Sequence, residues 1–339
     1  MYKLGIFFIF ISIFCSCQDR KGVTEVTLSH NPVRMDSDFI VGAPIEMHCL
    51  NDNLLIIDTK SERPFHWIKI PECKYMGSFG DLGQGPNELL RVRNIHSLNN
   101  TLYCYDSYKF KLFEIIPDNK SRNLSFKVIH EFDKDMTIDA FPLSSSRICK
   151  YGYFEKGMLH LADTDGKIIN STRDFPYRDE PESKLSNQLR FMAYQGCMAA
   201  NGNGYIAYLT GASNQCYVYK MTDDSLKEVF VNQESFPLYT PDNTEGFSVT
   251  FNAENKLGYQ DIAVDDEGFY GLYSDKSIKE YKQKAFECSS IYYYNWDGSN
   301  KTHYKLDIPI LCFCYAKKHN VFYGIANNPD PVLVKFSLP

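Results

Sequence analysis

The chain has 339 residues, of which 15% are aromatic (24 Tyr and 24 Phe), and its formal net charge is −6. That length accommodates one large β domain, and aromatic side chains favour strands. A mildly acidic chain without a basic run lacks the electrostatic footprint of a nucleic-acid binder, so no such partner is expected.

The first element is a targeting segment. Lys3 precedes an almost wholly apolar run, residues 4–14. The run is about half the ~20 residues that span a bilayer and has the length of a signal-peptide core. Phe14-Cys15-Ser16-Cys17 ends it. A small residue before a cysteine, after such a core, resembles the bacterial lipobox, with Phe14 where an aliphatic residue is usual. The resemblance implies cleavage before Cys17 and lipidation of that cysteine, palmitate included. Acyl chains anchor by burying CH₂ groups, each worth about 0.8 kcal/mol. Gln18 in place of Asp favours sorting to the outer membrane. Asp19 is followed by Arg20 and Lys21 rather than by an acidic run, which leaves the side of that membrane open. Residues 1–16 are therefore read as signal peptide, 17–22 as a short lipidated tether and 23–339 as the folded unit. An ordinary secretory signal cut elsewhere is the alternative.

Beyond residue 22, short β-rich runs separated by Asn, Asp, Gly and Pro clusters replace helical periodicity. One run recurs six times. It appears as Leu54-Leu55-Ile56-Ile57-Asp58, Leu102-Tyr103-Cys104-Tyr105-Asp106 and Arg147-Ile148-Cys149-Lys150-Tyr151. It returns as Tyr205-Ile206-Ala207-Tyr208-Leu209, Phe269-Tyr270-Gly271-Leu272-Tyr273 and Val321-Phe322-Tyr323-Gly324-Ile325. Turn signals such as Asn51-Asp52-Asn53 and Asn99-Asn100 precede the copies, another β run precedes each, and further β runs follow. Four strands in every ~50 residues is the signature of a propeller blade. The expectation is an all-β, six-bladed propeller of four-stranded antiparallel blades; two stacked sandwiches would not explain the period. The last blade lacks an outer strand, and the run 23–28 is expected to supply it and close the ring, which removes an exposed edge.

After the first blade comes Gly77-Ser78-Phe79-Gly80-Asp81-Leu82-Gly83-Gln84-Gly85-Pro86-Asn87-Glu88-Leu89. This resembles the G-x-x-G-x-G-P-G-E-F segment of NHL-type and TolB-like six-bladed propellers, in particular the TolB-like propeller lipoproteins of the Bacteroidetes. Asn87 stands where a second glycine is usual, and Asn tolerates a left-handed backbone; Leu89 stands where Phe is usual. The resemblance implies a tight inter-blade turn and brings no agreed biochemical activity. A Gly-rich loop gripping an anion is the alternative.

Chemistry-bearing motifs are sparse. With Cys15 removed and Cys17 lipidated, nine cysteines remain: Cys49, Cys73, Cys104, Cys149, Cys197, Cys216, Cys288, Cys312 and Cys314. An oxidising compartment permits disulfides, yet nine is odd and the residues are scattered, so most are read as small buried hydrophobes. Cys312 and Cys314 would share one face of a strand, but no Cys-x-x-Cys or His-x-x-x-His accompanies them, so no zinc site is assigned. Gly202-Asn203-Gly204-Tyr205-Ile206-Ala207 fits G-x-G-x-x-A but opens a β run, so it is read as a hairpin turn and not a dinucleotide fingerprint. Asp163-Thr164-Asp165-Gly166 lacks the closing Glu of a calcium loop and is read as a turn. G-x-S-x-G and H-E-x-x-H are absent. No catalytic residue, metal or cofactor is assigned. His48 and His96 occupy equivalent repeat positions, as hydrogen-bonded blade residues or as channel-lining bases.

Three long insertions remain, residues 175–189, 232–257 and 276–290. The first two join a fourth strand to the next first strand; the third joins a second strand to a third. Propeller geometry puts all three on one face, around blades 4 and 5. They and their edges carry Phe175, Tyr177, Arg190, Tyr194, Phe236, Tyr239, Phe247, Phe251, Tyr259 and Gln260. Aromatic planes with a few polar groups suit sugar rings, peptides or aromatic ligands; simple packing of the loops is the alternative. The expectation is a membrane-anchored, non-enzymatic binding or scaffold module for a glycan, a peptide or an envelope protein, with Arg93, Arg190, Tyr194, Tyr239, Tyr259 and Gln260 as ligand-binding residues. The competing classes are a hydrolase or lyase using His48, His96, Arg93 or Asp261 in the central channel, and a structural subunit of an envelope complex.

Overall fold

The computed structural model describes residues 23–35, 39–85, 88–90, 93–118, 123–133, 135–242, 246–327 and 329–339. The signal segment, Cys17 and the tether to residue 22 lie outside the described residues, as do Pro86 and Asn87 of the Gly-rich segment.

Six blades follow in chain order, each with four antiparallel strands here lettered a to d from the axis outwards. Blade 1 is Pro44–Leu50, Asn53–Asp58, Phe65–Lys69 and Lys74–Phe79; blade 2 is Ile95–Leu98, Thr101–Asp106, Lys111–Asp118 and Asn123–Glu131. Blade 3 is Thr137–Ser144, Arg147–Gly152, Leu159–Ala162 and Ile168–Ser171; blade 4 is Gly196–Ala200, Tyr205–Thr210, Gln215–Thr222 and Ser225–Gln233. Blade 5 begins Tyr259–Val264, Gly268–Tyr273, Cys288–Asn295 and Lys301–Ile310, and blade 6 begins Cys312–Ala316, Val321–Asn327 and Pro331–Ser337. The recurring sequence run is strand b in every blade. That strand is sandwiched on both faces by neighbouring blades: Leu54, Leu55, Ile56 and Ile57 are all fully buried, as are Ile206, Ala207, Tyr208 and Leu209. A strand buried on both faces reads as a continuous apolar run.

The aspartate that ends the run in blades 1 and 2 has a structural task. Asp58 accepts hydrogen bonds from the amides of Gly42, Ala43 and Lys60. Asp106 accepts from the amides of Leu90, Tyr108 and Lys109. Each buried carboxylate thereby ties its own b–c turn to the segment that leads into its blade, satisfying amides that no strand partner reaches.

Ring closure differs from the expectation in its residues. Blade 6 takes its outer strand from His30–Pro32, antiparallel to Pro331–Ser337, with His30 opposite Phe336. The run expected there pairs one blade earlier: Thr24–Leu28 lies parallel to strand d of blade 5, with Thr24 opposite Thr302 and Leu28 opposite Leu306. Leu28 is buried against the apolar cluster of Leu306 and Ile310, and Glu25 meets Lys305 at 2.9 Å and His303 at 3.4 Å. One continuous segment thus straps the outer edges of two blades. Pro32, which lacks an N–H, is tolerated because it ends on an edge.

The Gly-rich segment folds into an inter-blade turn, with Asp81–Leu82 parallel to Glu88–Leu89. The Glu88 carboxylate accepts the Gly85 amide at 2.7 Å, and Lys109 donates to the carbonyls of Gly85 and Glu88. A Cβ on Gly83 would lie 2.1 Å from a Glu88 carboxylate oxygen, so the chain's own anion occupies the space that a side chain would fill.

The three insertions sit where the spacing placed them. Helices α1 (Glu180–Ser183) and α2 (Asn187–Tyr194) lie between blades 3 and 4. A hairpin, Tyr239–Asp242 with Ser248–Phe251, lies between blades 4 and 5. Helix α3 (Ile278–Tyr281) and the turn Lys282–Phe286 interrupt blade 5 between strands b and c. Their backbones interlock: Lys279 donates to the Ala253 carbonyl at 3.0 Å and Leu257 to the Lys276 carbonyl at 2.9 Å. Arg178 reaches the Pro237 carbonyl at 3.3 Å. They form one cap over one face. The paired strand Thr24–Leu28 starts level with Thr302, beside the c–d turn at Asp297-Gly298, so the chain enters the ring on the opposite face.

Candidate functional site

The cap is organised around a buried carboxylate. Asp179 caps α1 by accepting the Glu182 amide at 3.0 Å, and the Glu182 side chain is buried. Its Oε1 accepts hydrogen bonds from the Tyr194 hydroxyl at 2.9 Å and from the Tyr239 hydroxyl, and its Oε2 takes the Arg178 amide. Burial, reinforced by the Glu182 charge, pushes both phenols far above their usual pKa. Arg190 is buried beside them, donating to the Phe175 carbonyl, 3.8 Å from the Asp174 carboxylate and 5.8 Å from the centre of the Tyr177 ring. Tyr194 and Tyr239 therefore fasten the first insertion to the second, and Arg190 braces the first internally.

What the cap presents to solvent is a different set. Tyr177, Phe247, Phe251, Tyr281 and Phe286 are each more than one-third exposed. All five lie on the insertions. Tyr108, 62% exposed, sits on the b–c turn of blade 2, and b–c turns share the face of the d–a connections. Every exposed aromatic side chain among the described residues thus stands on one face. Tyr177, Phe247 and Phe251 were legible as insertion aromatics. Tyr281 and Phe286 lie within the expected insertion 276–290, so its span was the available signal; Tyr108 gave none beyond its turn.

Beneath the cap runs a central cavity of about 480 Å³, bordered by first strands of all six blades. Three carboxylates line it at matching positions of alternate blades. Glu46, Asp139 and Asp261 each follow a bulge in strand a and lie opposite Ile57, Tyr151 and Leu272 of strand b. Adjacent first strands are not paired as a sheet, so their edge amides need acceptors. Glu46 supplies them for blade 2, accepting the Asn94 amide at 3.0 Å and the Ile95 amide at 3.1 Å. Asp261 does so for blade 6, accepting the Phe313 amide at 2.9 Å, and also takes the Ile262 amide at 2.8 Å. Asp139 turns back to blade 2, where it meets His96 Nε2 at 2.9 Å; the His96 ring stacks on Phe141 at 4.2 Å.

The two amide-bound carboxylates titrate oppositely. Burial raises Glu46, but the hydrogen bond and charge of His48, 3.6 Å away, together with the two amides, hold it below the usual range. Among the described residues Asp261 has no cationic neighbour of that kind. Burial dominates over its two amide bonds, the Glu46 charge adds to it, and the carboxyl is pushed up to about 8. Among the described residues no group of three His, Cys, Asp or Glu side chains could hold a metal ion.

The six residues expected to bind ligand fall into two groups. Arg93, Tyr259 and Gln260 border the cavity; Arg190, Tyr194 and Tyr239 lie within the cap. Arg93 is exposed at the mouth. Gln260 donates to the carbonyls of Gly211 and Gly258, at 3.3 Å each. Tyr259 is buried, with its hydroxyl 3.1 Å from both Asn214 Oδ1 and the Tyr294 hydroxyl. His48 and His96, at equivalent positions opposite Leu55 and Tyr103, both line the cavity. The two motif-like turns are turns: Asn201 accepts the Asn203 and Tyr205 amides, and Asp163 accepts those of Asp165 and Lys167.

A family model described as TolB-like 6-blade propeller-like matches residues 25–318. No curated protein matches the sequence. Among solved structures, one similar chain is a protein of Bacteroides fragilis NCTC 9343 described as exported. It has a TM-score of 0.56 and 12% identity, over 93% of this chain and 99% of that one; at that identity the likeness is one of fold. U3-55K aligns with a TM-score of 0.49 and 7% identity, over 87% of this chain and 95% of that one.

Proposed function

The chain belongs to the TolB-like six-bladed propeller family, and from that premise we propose that it is an envelope binding module, lipid-anchored at Cys17 in the outer membrane, which grips a glycan or peptide with the aromatic face of its cap. One observation carries the reading: every exposed aromatic ring among the described residues lies on the face that bears the insertions. Flat apolar rings with nearby polar groups fit sugar faces and peptide side chains. Arg93 and Gln260 at the channel mouth on that face supply polar contacts.

The anchor and the face are consistent with one another. The chain reaches Thr24 on the side opposite the cap. A lipid on Cys17 therefore holds that side to the bilayer and turns the aromatic face away from it. The test of the binding face is a glycan and peptide array probed with the wild-type protein and with a triple variant, Tyr177→Ser, Phe247→Ser and Phe251→Ser. Loss of the wild-type signals at unchanged thermal stability is expected; identical binding by the variant refutes the face. The test of the anchor is labelling with a palmitate analogue, which Cys17→Ala should abolish.

A second reading, a channel hydrolase or lyase, is favoured by one observation: Asp261, whose carboxyl burial pushes up to about 8, and the His96–Asp139 pair line the same cavity. Turnover on a glycan or lactone panel that is lost in Asp261→Asn and in His96→Ala would support it.

A further inference from the structure

We propose that Cys49 and Cys314 are joined by a disulfide that closes the propeller covalently at its inner edge. Cys49 lies on strand a of blade 1 and Cys314 on strand a of blade 6, 265 residues apart in sequence and side by side across the seam where the ring meets itself. Their sulfurs are 2.7 Å apart, about 0.7 Å beyond the length of a disulfide bond and closer than non-bonded sulfurs rest. The other thiol hydrogen bonds among the described residues go to backbone: Cys73, Cys104 and Cys288 donate to the carbonyls of Pro71, Arg93 and Phe286.

Access and place both favour the bond. Both cysteines border the central cavity, and Cys49 is only partly buried. A small disulfide oxidant can therefore reach Cys49 through the channel. The Cys49 thiolate attacks the oxidant's disulfide and releases one reduced thiol. The Cys314 thiolate then attacks the Cys49 sulfur of the mixed disulfide and releases the second. Two protein thiols are oxidised, one external disulfide is reduced to two thiols, and the protons pass to the departing thiolates. The strap at His30–Pro32 fastens blade 6 at its outer edge, and this bond would fasten the same blade at the axis.

The inference rests on the proposed export, because an oxidising compartment is where such a bond persists. Its test is made on purified protein so that the geometry is judged apart from the cellular address. The reduced wild-type protein is exposed to oxidised glutathione, alkylated and digested without reductant. The expected product is a cross-linked peptide containing Cys49 and Cys314, absent in Cys49→Ala and in Cys314→Ser and retained in Cys312→Ser. Dithiothreitol should lower the unfolding temperature of the oxidised wild type and of Cys312→Ser, and leave that of Cys49→Ala unchanged. Recovery of Cys49 and Cys314 as separately alkylated peptides from the oxidised, folded wild type overturns the proposal. Export itself is read separately, from fractionation and from acylation at Cys17.

Discussion

Tyr194 and Tyr239, from different insertions, direct their hydroxyls at the same oxygen, Oε1 of Glu182. One carboxylate on a four-residue helix thus fastens α2 to the hairpin between blades 4 and 5.

Removing that carboxylate should loosen the cap and spare the ring. Glu182→Leu leaves the buried Tyr194 hydroxyl, the half-buried Tyr239 hydroxyl and the Arg178 amide without their acceptor, and an unsatisfied buried donor costs about 1–3 kcal/mol. Hydrogen exchange should rise across residues 174–195 and 236–258 and stay unchanged in strand b of blades 1 and 2. Protection retained in both segments would show that the hub carries no weight. Tyr194→Phe, which deletes one bond, should cost about 1 kcal/mol.

Asp261 should make stability depend on pH in the direction opposite to an ordinary surface carboxylate. Its folded pKa, about 8, lies above that of the unfolded chain. Folding is therefore favoured while both states hold the proton, and the contribution is lost as pH rises from the usual carboxylate range to about 8. In Asp261→Asn this loss disappears. Urea unfolding at pH 4.5, 6.5 and 8.5 should show the variant gaining on the wild type between the first and last values. A constant difference across that range would mean that Asp261 is ionised in the folded protein.

Leu28 tests the strap. It is buried between strand d of blade 5 and the neighbouring blade, and a buried Leu→Ala change costs about 2–5 kcal/mol. Leu28→Ala should destabilise the protein within that range. A chain begun at Val33 loses both strap strands, bares the outer edges of blades 5 and 6, and should self-associate in light scattering. A monomeric truncated chain of unchanged stability would show that the strap is dispensable.

The fold was legible because strand b has neighbours on both faces and therefore keeps an apolar run at every repeat, whereas strands a and d each have one wet side and carry weaker patterns. The face that bears the cap was legible too, since loop order alone sets it. The strap's register was not. Residues 23–28 suit any outer edge, and the choice of blade 5 over blade 6 depends on the packing of Leu28 and the pairing of Glu25 with Lys305 and His303. The fate of individual cap aromatics was equally hidden. Tyr194 is buried on the Glu182 carboxylate while Tyr177 is exposed, a difference that aromatic content does not encode. The raised pKa of Asp261 follows from burial that its two amide bonds do not offset, which no single stretch of sequence records.

The parallel pairing of Thr24–Leu28 with strand d of blade 5 has a mechanical consequence. A pull on Val23 directed away from the cap runs along the strand axis, so it loads the rungs of that ladder together, in shear. A pull across the strand would instead peel the ladder open one rung at a time. A load in that direction falls on the whole Thr24–Leu28 pairing before it reaches the blades behind it.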